Sequence, residues 1–170
     1  MASRRQRIRA VRLVAIALLV AAGLSTARAL PSMSAGELDD HLWTAIVAVE
    51  SGGDPAAYNA GSGATGVAQI RQVCLDDCNR IARLRKLDVQ FKAADRQSPQ
   101  RAREMWNLYL SYYGEQYEQA TGRPPSNEVY ARIWNGGPTG WRKDSTAEYW
   151  TRVREILQSL PAEDGPTDGQ

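Results

Sequence analysis

Residues 45–55 read Ala-Ile-Val-Ala-Val-Glu-Ser-Gly-Gly-Asp-Pro, and a Gly-Val-Ala-Gln-Ile segment follows at residues 66–70. Apolar residues with helical spacing lead into the first stretch, and its Ser-Gly-Gly-Asp-Pro sequence is typical of a helix end. Glu50 is therefore predicted in the last turn of an amphipathic helix. The helix dipole and partial burial both oppose its ionisation there, so Glu50 is a candidate general acid with a raised pKa. The alternative is a solvated carboxylate near a helix end.

The first 29 residues have the pattern of a cleaved secretory signal peptide. Five arginines between Arg4 and Arg12 precede an apolar run of twelve residues at 13–24, and Ala27-Arg28-Ala29 fits a small-x-small cleavage site. The run is short for a membrane span, although an uncleaved signal anchor is the alternative. We therefore expect an exported protein, periplasmic or extracellular at the cell envelope, with no membrane attachment after cleavage.

The charge of the chain changes sign once the signal peptide is set aside. The full chain of 170 residues has a net charge of +2, but its first 29 residues contain six Arg and no acid. The remainder carries 15 Lys and Arg against 19 Asp and Glu, a net charge of −4. This balance argues against a nucleic-acid partner. We expect one domain at residues 30–160, acting as a monomer, and a disordered tail at 161–170.

The sequence between the signal peptide and the tail predicts an all-α fold. Ser34 and Glu37 form a capping box, Ser98-Pro99 is typical of a helix start, and Ser126 is a candidate N-cap. Residues 51–66 predict a long loop, which in a compact domain indicates function. The helices are predicted at about residues 35–50, 67–87, 99–114, 127–134 and 145–160.

Cys74 and Cys78 are the only cysteines of the chain. Export to an oxidising compartment favours a disulfide between them, whereas their i, i+4 spacing also suits two free thiols in a helix core. A metal site with His41 is the weakest alternative, because two thiols and one distant His form no recognisable ligand pattern. We expect no metal and no cofactor.

Four segments in order resemble a known superfamily. They are Glu-Ser-Gly-Gly-Asp-Pro, Gly-Ala-Thr-Gly-Val-Ala-Gln-Ile, Ile-Trp-Asn-Gly-Gly-Pro and Thr-Ala-Glu-Tyr-Trp. Together they resemble the lysozyme-like superfamily, above all the soluble lytic transglycosylase (SLT) domains of bacteria and phages, with goose-type lysozyme more distant. The resemblance covers about residues 38–153 and implies a lysozyme-like helical domain. An Ala-Tyr-Asn-Ala-Gly at residues 57–61 is interpreted as coincidental.

The resemblance implies a peptidoglycan-cleaving site with Glu50 as acid and base. A family member of this kind binds glycan strands, uses the substrate's N-acetyl group as internal nucleophile and leaves a 1,6-anhydro product. Trp134 stands where the family usually has Tyr. The residues that the resemblance assigns to substrate binding are Ser51, Gly66, Gln69, Trp134, Asn135, Gly136 and Tyr149.

Three other functions remain open at this stage. A lysozyme-type hydrolase would need a second carboxylate, for which Asp54 and Asp95 are candidates. Asp54 precedes Pro and also suits a turn, and Asp95 also suits an ion pair. A non-catalytic peptidoglycan-binding module would keep the groove without turnover. An exported adaptor would use exposed Trp and Tyr side chains.

Overall fold

The computed structural model describes residues 38–161. The predicted signal peptide and the predicted Ser34–Glu37 capping box therefore lie outside the described residues, as does the predicted disordered tail beyond residue 161. The all-α prediction is confirmed, with a very short two-stranded sheet added. The elements are α1 (Asp40–Ser51), β1 (Tyr58–Asn59), β2 (Ala64–Thr65), α2 (Gln72–Leu84), α3 (Pro99–Thr121), α4 (Asn127–Gly136) and α5 (Ala147–Ser159), with 3-10 helices at Ala93–Gln97, Gly140–Arg142 and Asp144–Thr146.

Helix α1 ends where the sequence predicts but starts later. Its N-cap is Asp39, whose carboxylate accepts a hydrogen bond of 2.9 Å from the backbone N–H of His41. The predicted helix start at Ala35 lies outside the described residues, and within them the helix begins at Asp40 rather than continuing from residue 38. Gly52 ends the helix in the left-handed conformation with φ of 65° and donates its N–H to the carbonyl of Ala48.

Helix α3 starts as predicted, with Ser98 as N-cap and Pro99 at its first position. Its predicted end at Gly114 is wrong, because the helix continues to Thr121. A Cβ at Gly114 would lie 2.8 Å from Cε1 of Tyr130, so glycine allows α4 to pack closely on α3. This glycine serves helix packing rather than helix termination.

Helix α2 begins five residues after its predicted start at Val67. The intervening residues belong to the hairpin, since Ile70 forms an antiparallel bridge with Thr65. Helices α4 and α5 lie close to their predicted bounds, and Ser126 caps α4 by accepting from the N–H of Val129. Within residues 38–161, no helix combines the length and the apolarity needed to cross a bilayer.

The core forms where α3 packs against α2 and α4, and where α5 packs against α1 and α4. Trp106 of α3 is fully buried at its centre and makes an edge-to-face contact with Trp43 at 5.4 Å. Trp134 and Trp150 pack against this core and are partly buried. Trp106, Trp134 and Trp150, which an adaptor would expose, therefore pack in or against the core. Helix α1 buries Leu42, Ala45 and Ile46, which directs its last turn towards the remaining helices.

Candidate functional site

Glu50 lies in the last turn of α1, partly buried, at the edge of an open space between the helices. Burial raises the pKa of its carboxyl above the ordinary value of 4.5. Hydrogen bonds from Tyr149 and Trp134, and the charges of Arg152 and Arg71, act in the opposite direction without cancelling the effect of burial on this pKa. A carboxyl whose ionisation is opposed by burial is suited to act as a general acid.

Tyr149 holds this carboxyl from the core side. Its hydroxyl donates a hydrogen bond of 2.8 Å to Oε1 of Glu50, and the side chain is only 3% exposed. Burial and the neighbouring Glu50 raise the pKa of Tyr149 well above its ordinary value of 10, so the hydroxyl keeps its proton. Tyr149 therefore contacts the candidate acid, and the substrate contact that the resemblance implies for it stays a prediction.

Ser51 connects the end of α1 to the segment that carries Gln69. Its hydroxyl donates to the carbonyl of Val67 at 2.8 Å and accepts from the N–H of Gly53 at 3.1 Å. Both contacts are to backbone atoms, so the side chain fixes the turn after Glu50. The structure thus gives Ser51 a positioning contact, and its predicted substrate contact stays a prediction.

Gly66 allows the hairpin to lie against the 3-10 helix Ala93–Gln97. Its φ is +79°, and a Cβ at this position would lie 1.8 Å from the carbonyl oxygen of Arg96. Any side chain here would displace backbone. Gly66 therefore allows the hairpin to pack closely on this 3-10 helix, although it does not itself line the open space beside Glu50.

Gln69 adopts a left-handed conformation with φ of 49°, which is uncommon for a residue with a side chain. Its Nε2 donates to the carbonyls of Gly66 at 3.1 Å and Ala57 at 3.3 Å. These two bonds fix the orientation of the side-chain amide. Because both use Nε2, the side-chain oxygen is left as an acceptor. Gln69 also lines the open space beside Glu50, as the sequence predicts for a substrate-binding residue.

The open space, here called the cleft, has a volume of about 830 Å³. It extends from the end of α1 across the hairpin and along α2. Its lining residues are Glu50, Asn59, Ser62, Ala64, Gln69, Ile70, Arg71, Val73, Cys74, Asp76, Asp77, Arg80, Arg83, Tyr109, Trp134, Asn135, Gly137 and Pro138.

The end of α4 brings Trp134 and Asn135 to the cleft. Trp134 packs edge-to-face on Tyr109 at 5.8 Å and hydrogen-bonds Glu50. Asn135 is exposed. Gly136, the third predicted residue of this segment, does not line the cleft, and a Cβ there would lie 2.6 Å from Cγ2 of Thr146. Gly136 therefore permits packing against the segment before α5.

Comparison with known proteins decides the family. The model of the transglycosylase SLT domain matches residues 31–155. The chain belongs to this family. It is also similar to a lysozyme of Magallana gigas, with 33% identity over 112 residues, 65% of this chain and 74% of that one. Lysozyme 1 of Crassostrea virginica is 30% identical over 125 residues, 72% of this chain and 62% of that relative.

Solved structures agree with this assignment of the SLT domain. A chain in the crystal structure of Aeromonas hydrophila PliI in complex with Meretrix lusoria lysozyme has 28% identity and a TM-score of 0.56, over 69% of this chain and 89% of that one. The Tapes japonica lysozyme structure has 25% identity and a TM-score of 0.55, over 75% of this chain and 94% of that one. The SLT domain described here is thus a lysozyme-like enzyme.

The two candidate second acids of this SLT domain have structural contacts away from the cleft. Asp54 is exposed, and its Oδ1 accepts from the N–H of Ala56 at 2.8 Å within a turn. Asp95 accepts from the N–H of Lys92 at 2.8 Å and pairs with Arg101 at 3.6 Å. Neither side chain lines the cleft.

The two cysteines are free thiols on one face of α2. Cys78 is buried and donates a weak hydrogen bond to the carbonyl of Met105 at 3.5 Å, and its pKa is raised by the neighbouring Cys74 and by burial. Cys74 is half-buried and lines the cleft. Of the two main alternatives, the structure shows thiols in a helix face rather than a disulfide. Among residues 38–161, no three His, Cys, Asp or Glu side chains group as a metal site.

Two residues of the SLT domain have roles that the sequence analysis missed. Nη1 of Arg96 donates to the carbonyls of Gly63 and Ile70 at 3.3 and 3.2 Å. These two bonds hold the segments before and after β2 against the 3-10 helix Ala93–Gln97. Asn59, which was interpreted as part of a coincidental motif, lines the cleft, and its Oδ1 accepts from two backbone N–H groups of the hairpin turn at 3.0 Å each. The Asn-x-Gly-Ser turn pattern could have indicated this Asx turn.

Proposed function

We propose that this SLT domain is an exported lytic transglycosylase that cleaves the β-1,4 bond between N-acetylmuramic acid and N-acetylglucosamine in peptidoglycan. The proposal rests above all on Glu50, a cleft-lining carboxyl whose pKa is raised by burial and whose orientation is fixed by Tyr149. The family match and the lysozyme relatives support the substrate class.

In the first step, protonated Glu50 donates its proton to the glycosidic oxygen as the C1–O bond breaks. The positive charge that develops at C1 needs a partner. Beyond Glu50, the carboxylates that line the described cleft are Asp76 and Asp77. Asp77 accepts from Tyr113 at 2.5 Å and pairs with Arg80 at 2.6 Å, and Asp76 accepts from Gln72 at 2.9 Å. Both side chains are engaged within the protein.

The acetamido group of the muramic acid residue then takes the place of a protein nucleophile. Its carbonyl oxygen forms a bond to C1, giving a cyclic oxazolinium ion. Glu50, now ionised, removes the proton of the C6 hydroxyl, and O6 attacks C1 while the bond to the acetamido oxygen breaks. The product is a 1,6-anhydro sugar, and Glu50 is protonated again for the next cycle.

The hydrogen bonds that lower the pKa of Glu50 favour this second role. Tyr149 and Trp134 donate to the carboxylate once the proton has left, so one group serves as acid and then as base. Gln69 and Asn135 both line the cleft and are the proposed partners of the acetamido group. Their neutral amides can donate and accept hydrogen bonds with a sugar substituent.

A second candidate is a hydrolase, because the similar proteins from Magallana gigas and Crassostrea virginica are lysozymes. Water would then attack C1 and leave a reducing end. The two candidates make different products from the same bond.

Mass spectrometry of muropeptides distinguishes them. Purified peptidoglycan is digested with residues 30–170 and, in parallel, with the Glu50→Gln variant. Anhydromuropeptides that are absent from the variant digest are expected. Reducing-end muropeptides would instead show a hydrolase. If neither folded protein releases a soluble product, a peptidoglycan-binding module replaces the enzyme.

A further inference from the structure

The cleft continues well beyond Glu50, along one face of α2. The lining residues of this helix recur at helical spacing, from Val73 through Asp77 and Arg80 to Arg83. Arg71, the N-cap of α2, and Arg83, in its last turn, are about 18 Å apart along the axis at 1.5 Å per residue. This wall is therefore longer than a single sugar ring bound at Glu50 requires.

The basic residues that line the described cleft all come from α2 and its N-cap. They are Arg71, Arg80 and Arg83, and they occur in a chain whose net charge from residue 30 onwards is −4. Arg71 lies close enough to Glu50 to lower its pKa and so belongs to the catalytic end of the cleft. Arg80 is held by Asp77 at 2.6 Å and donates to the hydroxyl of Tyr113 at 3.0 Å.

Arg83 differs from its neighbour Arg80. It is exposed and lines the cleft, and its guanidinium has no hydrogen bond or ion pair within residues 38–161. Its position in the last turn of α2 is favourable for the helix dipole, which alone would make it a minor contributor to stability. Its place on the cleft wall makes its guanidinium available to a bound ligand as well.

The two ends of the cleft offer different chemistry. Amides and an indole line the end near Glu50, where they suit the hydroxyl and acetamido groups of sugars. A guanidinium instead matches a carboxylate, which it can bind with two parallel hydrogen bonds. Val73, which is 64% exposed on the same wall, adds an apolar contact between these two ends.

We propose that the α2 end of the cleft binds the anionic stem peptide of the substrate, with Arg83 as the carboxylate-binding residue. This inference rests on the proposed function, because peptidoglycan carries its carboxylates on the peptides attached to the glycan strand. Val73 contacts the alanine methyl groups of the same peptide. The enzyme would then prefer glycan strands that still carry their peptides.

The test compares one variant on two forms of one substrate. Soluble, uncross-linked glycan strands with their stem peptides are used directly, or after an amidase has removed the peptides. Arg83→Gln is expected to lower kcat/KM about tenfold on the peptide-bearing strands, the loss of one charge-assisted hydrogen bond, and to leave the stripped strands unaffected. On the peptide-bearing strands, kcat/KM of Arg83→Lys should lie between that of the wild type and that of Arg83→Gln. Arg154→Gln is the matched control, since Arg154 is exposed on α5 and does not line the cleft.

Equal losses on both strands would mean that Arg83 contacts the glycan, and no loss on either would leave it a surface residue; both results overturn the proposal. Affinity provides a readout that does not depend on turnover. Binding of the peptide-bearing strands is measured for Glu50→Gln with and without Arg83→Gln, and the second substitution should weaken it about tenfold. Affinity dependent on Arg83 without an anhydro product would support the peptide site while contradicting the transglycosylase.

Discussion

The hydroxyl of Tyr149 donates a hydrogen bond of 2.8 Å to Oε1 of Glu50, joining α5 to the last turn of α1 across 99 positions of sequence. Burial raises the pKa of this carboxyl, and the hydrogen bond from Tyr149 partly offsets that effect by stabilising the carboxylate. A residue that acts first as acid and then as base needs both influences. The balance between them sets the pH range of activity.

Removal of this hydroxyl should shift the pH profile in a defined direction. In Tyr149→Phe the carboxylate loses a donor, so the pKa of Glu50 rises further. The acid must be protonated in the free enzyme, so the alkaline limb of kcat/KM against pH should move to higher pH. Tyr109→Phe is the control, because Tyr109 also lines the cleft but does not bond Glu50. An unchanged or lowered limb in Tyr149→Phe would contradict the assignment.

The same burial should make Glu50 unfavourable for stability at neutral pH. Its folded pKa exceeds the ordinary value of 4.5, so the folded protein binds more protons than the unfolded chain between these two values. The free energy of unfolding therefore falls as pH rises from the unfolded pKa to the folded pKa. Glu50→Gln keeps the shape without the charge.

We therefore expect Glu50→Gln to have a higher Tm than the wild type at pH 7 and the same Tm below about pH 4, where both side chains are neutral. Thermal unfolding at several pH values measures this difference. Glu155→Gln, an exposed position on α5, controls for the loss of one negative charge and should not reproduce the gain. A variant less stable than the wild type at pH 7 would refute the argument.

The position of the acid could be predicted from sequence because it depends on local pattern. An apolar stripe that stops at Glu50 and is followed by Ser-Gly-Gly-Asp-Pro fixes both the helix end and the burial of the last turn. The N-caps Ser98 and Ser126 were predicted for the same reason. Such signals involve only neighbours in the chain.

Features that depend on distant contacts were missed or misassigned. Gly114 looks like a helix end in sequence, but it lies within α3, where its lack of a side chain allows Tyr130 of α4 to approach closely. Arg96 has no local sequence signal for its role, because it binds hairpin carbonyls 26 and 33 positions away. The resemblance assigns Tyr149 to substrate binding, and nothing in the local sequence shows that its hydroxyl meets Glu50.

The two candidate second acids, Asp54 and Asp95, can be tested directly. Asp54→Asn and Asp95→Asn should both retain kcat within about threefold of the wild type, because neither side chain lines the cleft. Asp95→Asn should also lower stability by about 1 kcal/mol, since its carboxylate accepts from Lys92 and pairs with Arg101. Muropeptide release and urea unfolding provide the two measurements. A loss of kcat of a hundredfold or more in either variant would reopen the search for a second catalytic carboxylate.

The close approach of the hairpin to Arg96 gives a prediction with a control built into the same loop. Gly66 and Gly63 have similar positive φ values, 79° and 68°, but a Cβ at Gly66 would lie 1.8 Å from a backbone oxygen, whereas a Cβ at Gly63 meets nothing within 4 Å. Gly63→Ala should cost only the left-handed conformation, about 1 kcal/mol. Gly66→Ala should cost about 3 kcal/mol or more, because the hairpin must move away from Arg96.

The same movement would displace Gln69, whose amide is bonded to the carbonyl of Gly66. Gly66→Ala should therefore lower activity as well as stability, even at a temperature where the variant is fully folded, while Gly63→Ala should leave activity near the wild-type level. Urea unfolding and initial rates of muropeptide release test both expectations. If the two alanine variants proved equally stable and equally active, the packing of the hairpin against Arg96 would not govern the shape of the cleft.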